Sequence, residues 1–112
     1  IGKFGEEVAI KFLENNGYTI ITRNYLTKFG EIDIIAKDND EIVFIEVKTR
    51  RSLNYGVPAE AVDYIKVRHM IKAAKYYLYK TKNENTFVRF DVIEVFLGKE
   101  KYAINHIKKI DI

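Results

Sequence analysis

Residues 30–50 read GEIDIIAKDNDEIVFIEVKTR, two β-rich runs, 30 to 37 and 41 to 50, on either side of Asp38-Asn39-Asp40. Val, Ile and Phe favour the pleated strand, and the Asx residues between the runs favour a tight turn, so the stretch reads as a β-hairpin. Across a short loop Lys37 faces Glu41 or Ile42, and the antiparallel register that sets Lys37 against Ile42 also sets Asp33 against Glu46. Two carboxylates then meet across neighbouring strands.

Alternation along the second strand places Phe44, Glu46, Lys48 and Arg50 on one face and Ile45 and Val47 on the other. Ile-Val-Phe-Ile-Glu-Val-Lys is otherwise made for burial. An acid and a base inside it cost several kcal/mol of desolvation unless each charge finds a partner. The first strand repeats the anomaly, because Asp33 interrupts Glu31-Ile32-Asp33-Ile34-Ile35-Ala36 in its middle.

Phosphodiester hydrolysis explains why these residue types occur together. Two carboxylates, Asp33 and Glu46, give a hard divalent ion such as Mg²⁺ or Mn²⁺ oxygen ligands while leaving room for water and phosphate. The backbone carbonyl of Val47 is a further ligand candidate. Lys48, two residues beyond the second carboxylate, emerges on the same face, where it can orient or deprotonate the attacking water and offset phosphate charge. The competing reading is a plain ion pair of Glu46 with Lys48 or Arg50 on a solvated face.

Outward from the hairpin, residues 3 to 16 read as a helix with Phe4, Val8, Ala9, Phe12 and Leu13 at helical spacing and Gly17 at the C-cap. At about 100° per residue Glu7 falls in the polar arc, whereas Glu6 falls between Leu13 and Ile10, a carboxylate at the apolar margin. Residues 18 to 25 read as a strand and 51 to 58 as a loop. Pro58 suits the start of a second helix running to about Tyr79. Its apolar face is Val67, Met70, Ile71, Ala74, Tyr77 and Leu78, and its other faces carry Lys66, Arg68, His69, Lys72 and Lys75. Residues 86 to 97 and 101 to 110 form a second strand pair around Gly98-Lys99. The order α, β, β, β, α, β, β predicts an α/β fold with a mixed five-stranded sheet flanked by helices.

At 112 residues and 47% apolar content, the chain has the size of a single domain, 1–112. The absence of cysteine excludes disulfides, thiol catalysis and thiolate zinc sites, so a metal must be held by oxygen ligands or by the two histidines. A net charge of +3 favours a polyanionic partner only if the cations are clustered. No apolar run is long enough for a membrane span and no signal-peptide pattern opens the chain, so a cytoplasmic protein with no membrane contact is expected.

Taken together these motifs resemble the PD-(D/E)XK nuclease superfamily and, within it, the YraN-like group of small proteins. The resemblance covers nearly the whole chain: Gly5-Glu6 with Ala9 and Leu13-Glu14 before Gly17-Tyr18, Asn24, the run 30 to 36, the run 43 to 48 with Arg50, Gly56, Ala61-Val62, Lys66, Ala73-Ala74 with Tyr77-Leu78, Arg89-Phe90-Asp91-Val92 and His106-Ile107. It implies a restriction-endonuclease-like core similar to that of archaeal Holliday junction resolvases, with a Mg²⁺ site. Position by position, Asp33 and Glu46 match the metal carboxylates, Lys48 the catalytic lysine, and Glu6 the acid on the first helix that completes such sites. The Pro-Asp of the superfamily's name reads here as Ile32-Asp33. The resemblance supplies no substrate; on the Asp33, Glu46 and Lys48 geometry the expectation is a Mg²⁺-dependent endonuclease acting on DNA, branched or structured DNA included. By analogy with junction symmetry a homodimer is implied.

Remaining polar residues carry weaker expectations. Arg50, Arg51, Lys66, Arg68, His69 and Lys72 are candidates for phosphate-backbone contacts, against a snorkelling lysine for Lys66. Glu31 is read as solvated at a strand end and His106 as structural, with no acidic partner near it in sequence. Arg89 and Asp91 share a strand face and are expected to pair. The eight tyrosines are candidates for base stacking, yet Tyr76, Tyr77 and Tyr79 lie in a helix where packing explains at least some of them. The rival to an enzyme is a non-catalytic nucleic-acid-binding or protein-interaction module on the same fold.

Overall fold

A computed structural model describes residues 2–51 and 64–110. The elements run α1 (Gly2–Asn15), β1 (Thr19–Thr27), β2 (Gly30–Asp38), β3 (Glu41–Arg51), α2 (Tyr64–Lys80), β4 (Val88–Leu97) and β5 (Tyr102–Ile107). The five strands form one sheet in the order β1-β2-β3-β4-β5, antiparallel throughout except for the parallel β3–β4 pair that α2 connects. This is the expected α/β architecture in the expected order. The loop from 52 to 58, the helix start at Pro58, and the motif positions Gly56 and Ala61-Val62 lie outside the described residues.

Local chemistry sets the element ends. Gly17, at φ 88°, closes α1: its N–H donates to Glu14 O (3.1 Å) and the Tyr18 N–H to Leu13 O (3.0 Å), a Schellman cap that satisfies the last carbonyls. The two-residue turn Asn39-Asp40 joins β2 to β3 with Asn39 at φ 54°, a conformation Asn tolerates better than most residues. That turn produces the anticipated register, Lys37↔Ile42 through Ile34↔Ile45.

A core lies on each face of the sheet. On the α1 side Val8, Ala9, Ile10 and Leu13 pack on Ile34, Ala36, Val43, Ile45, Ile93 and Val95. On the α2 side Ala73, Ala74 and Tyr77 pack on Ile32, Ile35, Ile42 and Phe44. Ile32 and Ile35 sharing one face breaks the two-residue alternation of β2, and the break falls at Asp33. Opposite it, the β1–β2 pairing runs Arg23↔Ile34 then Tyr25↔Ile32, skipping Asn24 and Asp33, and Asn24 takes φ 52°. The strand is therefore irregular at its acid.

Several expectations shift. Phe4 is 52% exposed and meets Tyr102 edge-on, so it belongs to the surface. In α2 Ala73 is buried while Ile71 sits at the edge of the core. His106 does have an acidic partner: Nε2 lies 2.8 Å from Asp91 Oδ2, contributed by the neighbouring strand and invisible from sequence distance. The expected Arg89–Asp91 pair forms (3.1 Å), and the same guanidinium also donates to Asp38 and Glu41, at 2.9 Å each, and to Tyr18. With Asp91 fully buried, this network ties the β2–β3 turn, β4 and β5 together. No described helix is long and apolar enough to cross a membrane.

Candidate metal and nucleic-acid site

Asp33 and Glu46 stand one step beyond the last Cα pair of the β2–β3 ladder, in the register that would set them opposite each other. The Asp33 carboxylate ends the ladder: Oδ2 accepts the Val47 N–H at 2.8 Å, a donor that the departing backbone of β2 no longer serves. Glu46 is 6% exposed, and Lys66, from the first turns of α2, forms an ion pair with its Oε1. That contact lacks hydrogen-bond geometry, leaving a buried carboxylate oxygen without a hydrogen-bond donor. Such an atom relies on the Lys66 charge alone to offset its desolvation cost.

The electrostatics of Asp33 report what surrounds it. Burial pushes its carboxyl up to about 6, and the charges of Glu6 and Glu46 push the same way, against the Val47 N–H and Lys66. Glu6, at the apolar margin of α1, therefore acts on Asp33 electrostatically, together with Glu46 and Lys66. Gly5 is what lets α1 approach: a Cβ there would stand 1.9 Å from Thr49 Oγ1 on β3.

Lys48 is half-buried, in register with Glu94 of β4, and makes no ion pair or hydrogen bond among the described residues. By strand alternation it shares a face with Glu46 and Arg50. Arg50, anticipated as part of a phosphate-binding surface, is held by Glu94 instead (Nε to Oε2, 3.0 Å). Glu94 is 3% exposed and also accepts from Asn105 Nδ2 at 2.9 Å. Sequence reasoning passed over Glu94, although an acid inside Asp-Val-Ile-Glu-Val-Phe is the same anomaly that marked Glu46. The rival pairing of Glu46 with Lys48 or Arg50 gives way to the pair with Lys66. Arg51, Arg68, His69 and Lys72 are exposed, as is Glu31.

Two hard carboxylates, one ion-paired without a hydrogen-bond donor and the other pushed towards protonation chiefly by burial, form a donor set suited to a hard divalent cation. Among the described residues no three acidic or histidine side chains converge on one point, so such an ion would keep most of its shell as water.

The sequence model of the uncharacterised protein family UPF0102 matches residues 5–95. A UPF0102 protein of Caldicellulosiruptor saccharolyticus is 48% identical over 110 residues, covering 96% of this chain and 93% of its own length. One from Clostridioides difficile is 49% identical over 106 residues, covering 95% and 91%. Among solved structures, a chain of the EndoMS-dsDNA2 complex aligns with a TM-score of 0.40 and 25% identity over 75% of this chain and 32% of its own. From the family match and these full-length relatives, the chain belongs to the uncharacterised protein family UPF0102.

Proposed function

We propose that the chain is a divalent-metal-dependent endonuclease hydrolysing phosphodiester bonds of DNA, branched or structured DNA included. The observation that carries this reading is the buried acid pair at the end of the hairpin: Glu46 Oε1, whose one contact is the ion pair with Lys66 and which has no hydrogen-bond donor, and an Asp33 carboxyl raised to about 6. Asp33 and Glu46, with the Val47 carbonyl, would hold Mg²⁺ or Mn²⁺. Bound there, the ion supplies Lewis-acid relief of the charge that builds on the phosphate.

The protein's own groups do the rest. Lys48 Nζ, on the face of Glu46 and without a partner among the described residues, is placed to orient the attacking water and to offset phosphate charge. Glu6 completes the acidic set and strengthens the negative field at Asp33. Lys66 neutralises Glu46 until substrate arrives. Arg51, Arg68, His69 and Lys72 contact backbone phosphates, while Arg50 acts through its pair with Glu94 to keep β3 and β4 in register.

The test is cleavage of duplex, single-stranded, flap and four-way DNA in Mg²⁺ or Mn²⁺. The expected result is cleavage of at least one substrate, lost in Asp33→Ala, Glu46→Ala and Lys48→Ala. No cleavage of any substrate, or undiminished cleavage by Asp33→Ala, sinks the proposal.

A second reading, a binding module without turnover, is favoured by the Lys66–Glu46 pair, which occupies one of the two carboxylates. Calorimetric Mn²⁺ titration separates the two, since a module that only binds DNA has no use for a carboxylate metal site.

A further inference from the structure

Away from the acid pair, the β1–β2 turn and the outer face of α2 bring cations and aromatic rings together. The turn is fixed by Thr27, whose hydroxyl accepts the N–H groups of Phe29 (3.0 Å) and Gly30 (3.2 Å) and donates to Gly30 O (2.9 Å). Gly30 takes φ 153°, and a Cβ there would stand 3.1 Å from His69 Cβ, so the turn is seated directly on α2. It presents Phe29 edge-on to Tyr76, ring centres 6.2 Å apart. Lys28 Nζ lies 5.3 Å from the Phe29 ring centre and Lys80 Nζ 5.8 Å from that of Tyr76. Tyr79, one helical step away, is 66% exposed, whereas Tyr77 turns inward to the core.

The helix bearing these rings contains Lys66, Arg68, Lys72, Lys75 and Lys80 and no acidic residue. Like charges three or four residues apart, such as Arg68 with Lys72 and Lys72 with Lys75, weaken a helix. Its stability is thus no reason for the pattern, whereas a polyanionic ligand is. At 100° per residue His69, Lys72, Tyr76, Tyr79 and Lys80 fall on one solvent-facing stripe, which adjoins the buried arc of Val67, Met70, Ala73 and Tyr77. Cations alone would suit any nucleic acid. Exposed rings set among them suit bases whose faces are free, because in a duplex those faces are already stacked on one another.

We infer that the outer face of α2, with Phe29, is a stacking surface for unpaired bases of single-stranded DNA. The choice of DNA rests on the endonuclease reading above and adds the feature that the enzyme would select, an unpaired segment beside the scissile bond. Tyr76 lies ten residues beyond Lys66, the partner of Glu46, about 15 Å along the helix axis and about 80° around it.

The test is fluorescence anisotropy in EDTA with a labelled oligothymidylate of about 16 nucleotides, the corresponding duplex and an oligouridylate. The single DNA strand is expected to bind most tightly. Tyr76→Ala and Tyr79→Ala each weaken it by about tenfold, and Tyr76→Phe restores it, because the ring and not the hydroxyl stacks. Lys72→Ala lowers the slope of log affinity against log salt by about one. Equal or tighter binding of duplex or RNA, or unchanged affinity in both alanine variants with unaltered melting, overturns the inference. The two proposals fail separately. If wild-type protein never cleaves DNA yet the alanine variants lose the strand, only the endonuclease reading falls; if it cleaves DNA yet the alanine variants keep the strand, only the stacking surface falls.

Discussion

Asp33 Oδ2 accepts the Val47 amide hydrogen at 2.8 Å where the β2–β3 ladder has ended, so a side chain completes what backbone pairing leaves undone. The same carboxylate is half-buried, and its burial, with the charges of Glu6 and Glu46, raises it to about 6. It serves the local backbone and burdens the fold at once.

The burden has a sign. With a folded-state value above its ordinary 3.8, the acid binds its proton more tightly folded than unfolded. Its contribution is fully favourable below about pH 4 and is lost as pH rises through about 6. Asp33→Asn, which still offers Val47 an acceptor, is therefore expected to stabilise the metal-free protein at pH 7 by about 1–2 kcal/mol, after discounting for partial exposure. Urea unfolding at pH 7 and pH 4.5 checks this: the gain should fall to about a third at the lower pH. A variant less stable than wild type at pH 7 contradicts it.

A divalent ion acts in the opposite direction. Mn²⁺ added at pH 7.5 should raise the melting temperature in a concentration-dependent way, and EDTA should reverse the gain. Protons compete for Asp33 as pH drops below about 6, so the increment should shrink there. Asp33→Asn and Glu46→Gln should each lose most of it. An increment that persists in both variants places the ion elsewhere.

The hairpin was legible because the information is local. Alternation and a two-residue turn fix Lys37 against Ile42, and one more step brings Asp33 to Glu46. Helical geometry alone likewise set Glu6 apart from Glu7. What escaped depends on sheet order: Lys66 reaches Glu46 only once α2 is packed on the sheet, and Asp91, Arg89 and His106 meet only when β4 lies between β3 and β5. An acid on an apolar strand announces that it has a partner, yet nothing nearby in sequence names the partner. For that reason Glu94 and Arg50 read as separate residues when they form one contact.

The Asp91 network makes a second stability prediction. Burial alone would raise the Asp91 carboxyl, but hydrogen bonds from His106, Arg89 and the Lys109 N–H win and hold it below the usual carboxylate range. Its contribution is present above the unfolded value and is lost as pH falls below about 4. Asp91→Ala leaves the buried Arg89 guanidinium short of one counter-charge and should cost about 3–5 kcal/mol. Double-mutant cycles with His106→Ala should show coupling well above the scatter expected of independent sites, about 0.5 kcal/mol. Simple additivity contradicts a shared network.

The last prediction concerns how α1 delivers Glu6. Because a Cβ at position 5 would stand 1.9 Å from Thr49 Oγ1, 3.1 Å from its Cβ and 3.3 Å from its Cγ2, Gly5→Ala must push α1 away from β3 or rotate Thr49. The expected cost is about 1–3 kcal/mol by denaturant unfolding. Thr49→Ala removes two of the three close atoms, so the double variant should recover part of that loss. Retreat of α1 also carries Glu6 away from Asp33, lowering the Asp33 titration midpoint towards its ordinary value, as NMR of the carboxyl carbons would record. Gly5→Ala with wild-type stability and an unmoved midpoint would mean that helix and strand do not meet as closely as Gly5 and Thr49 require.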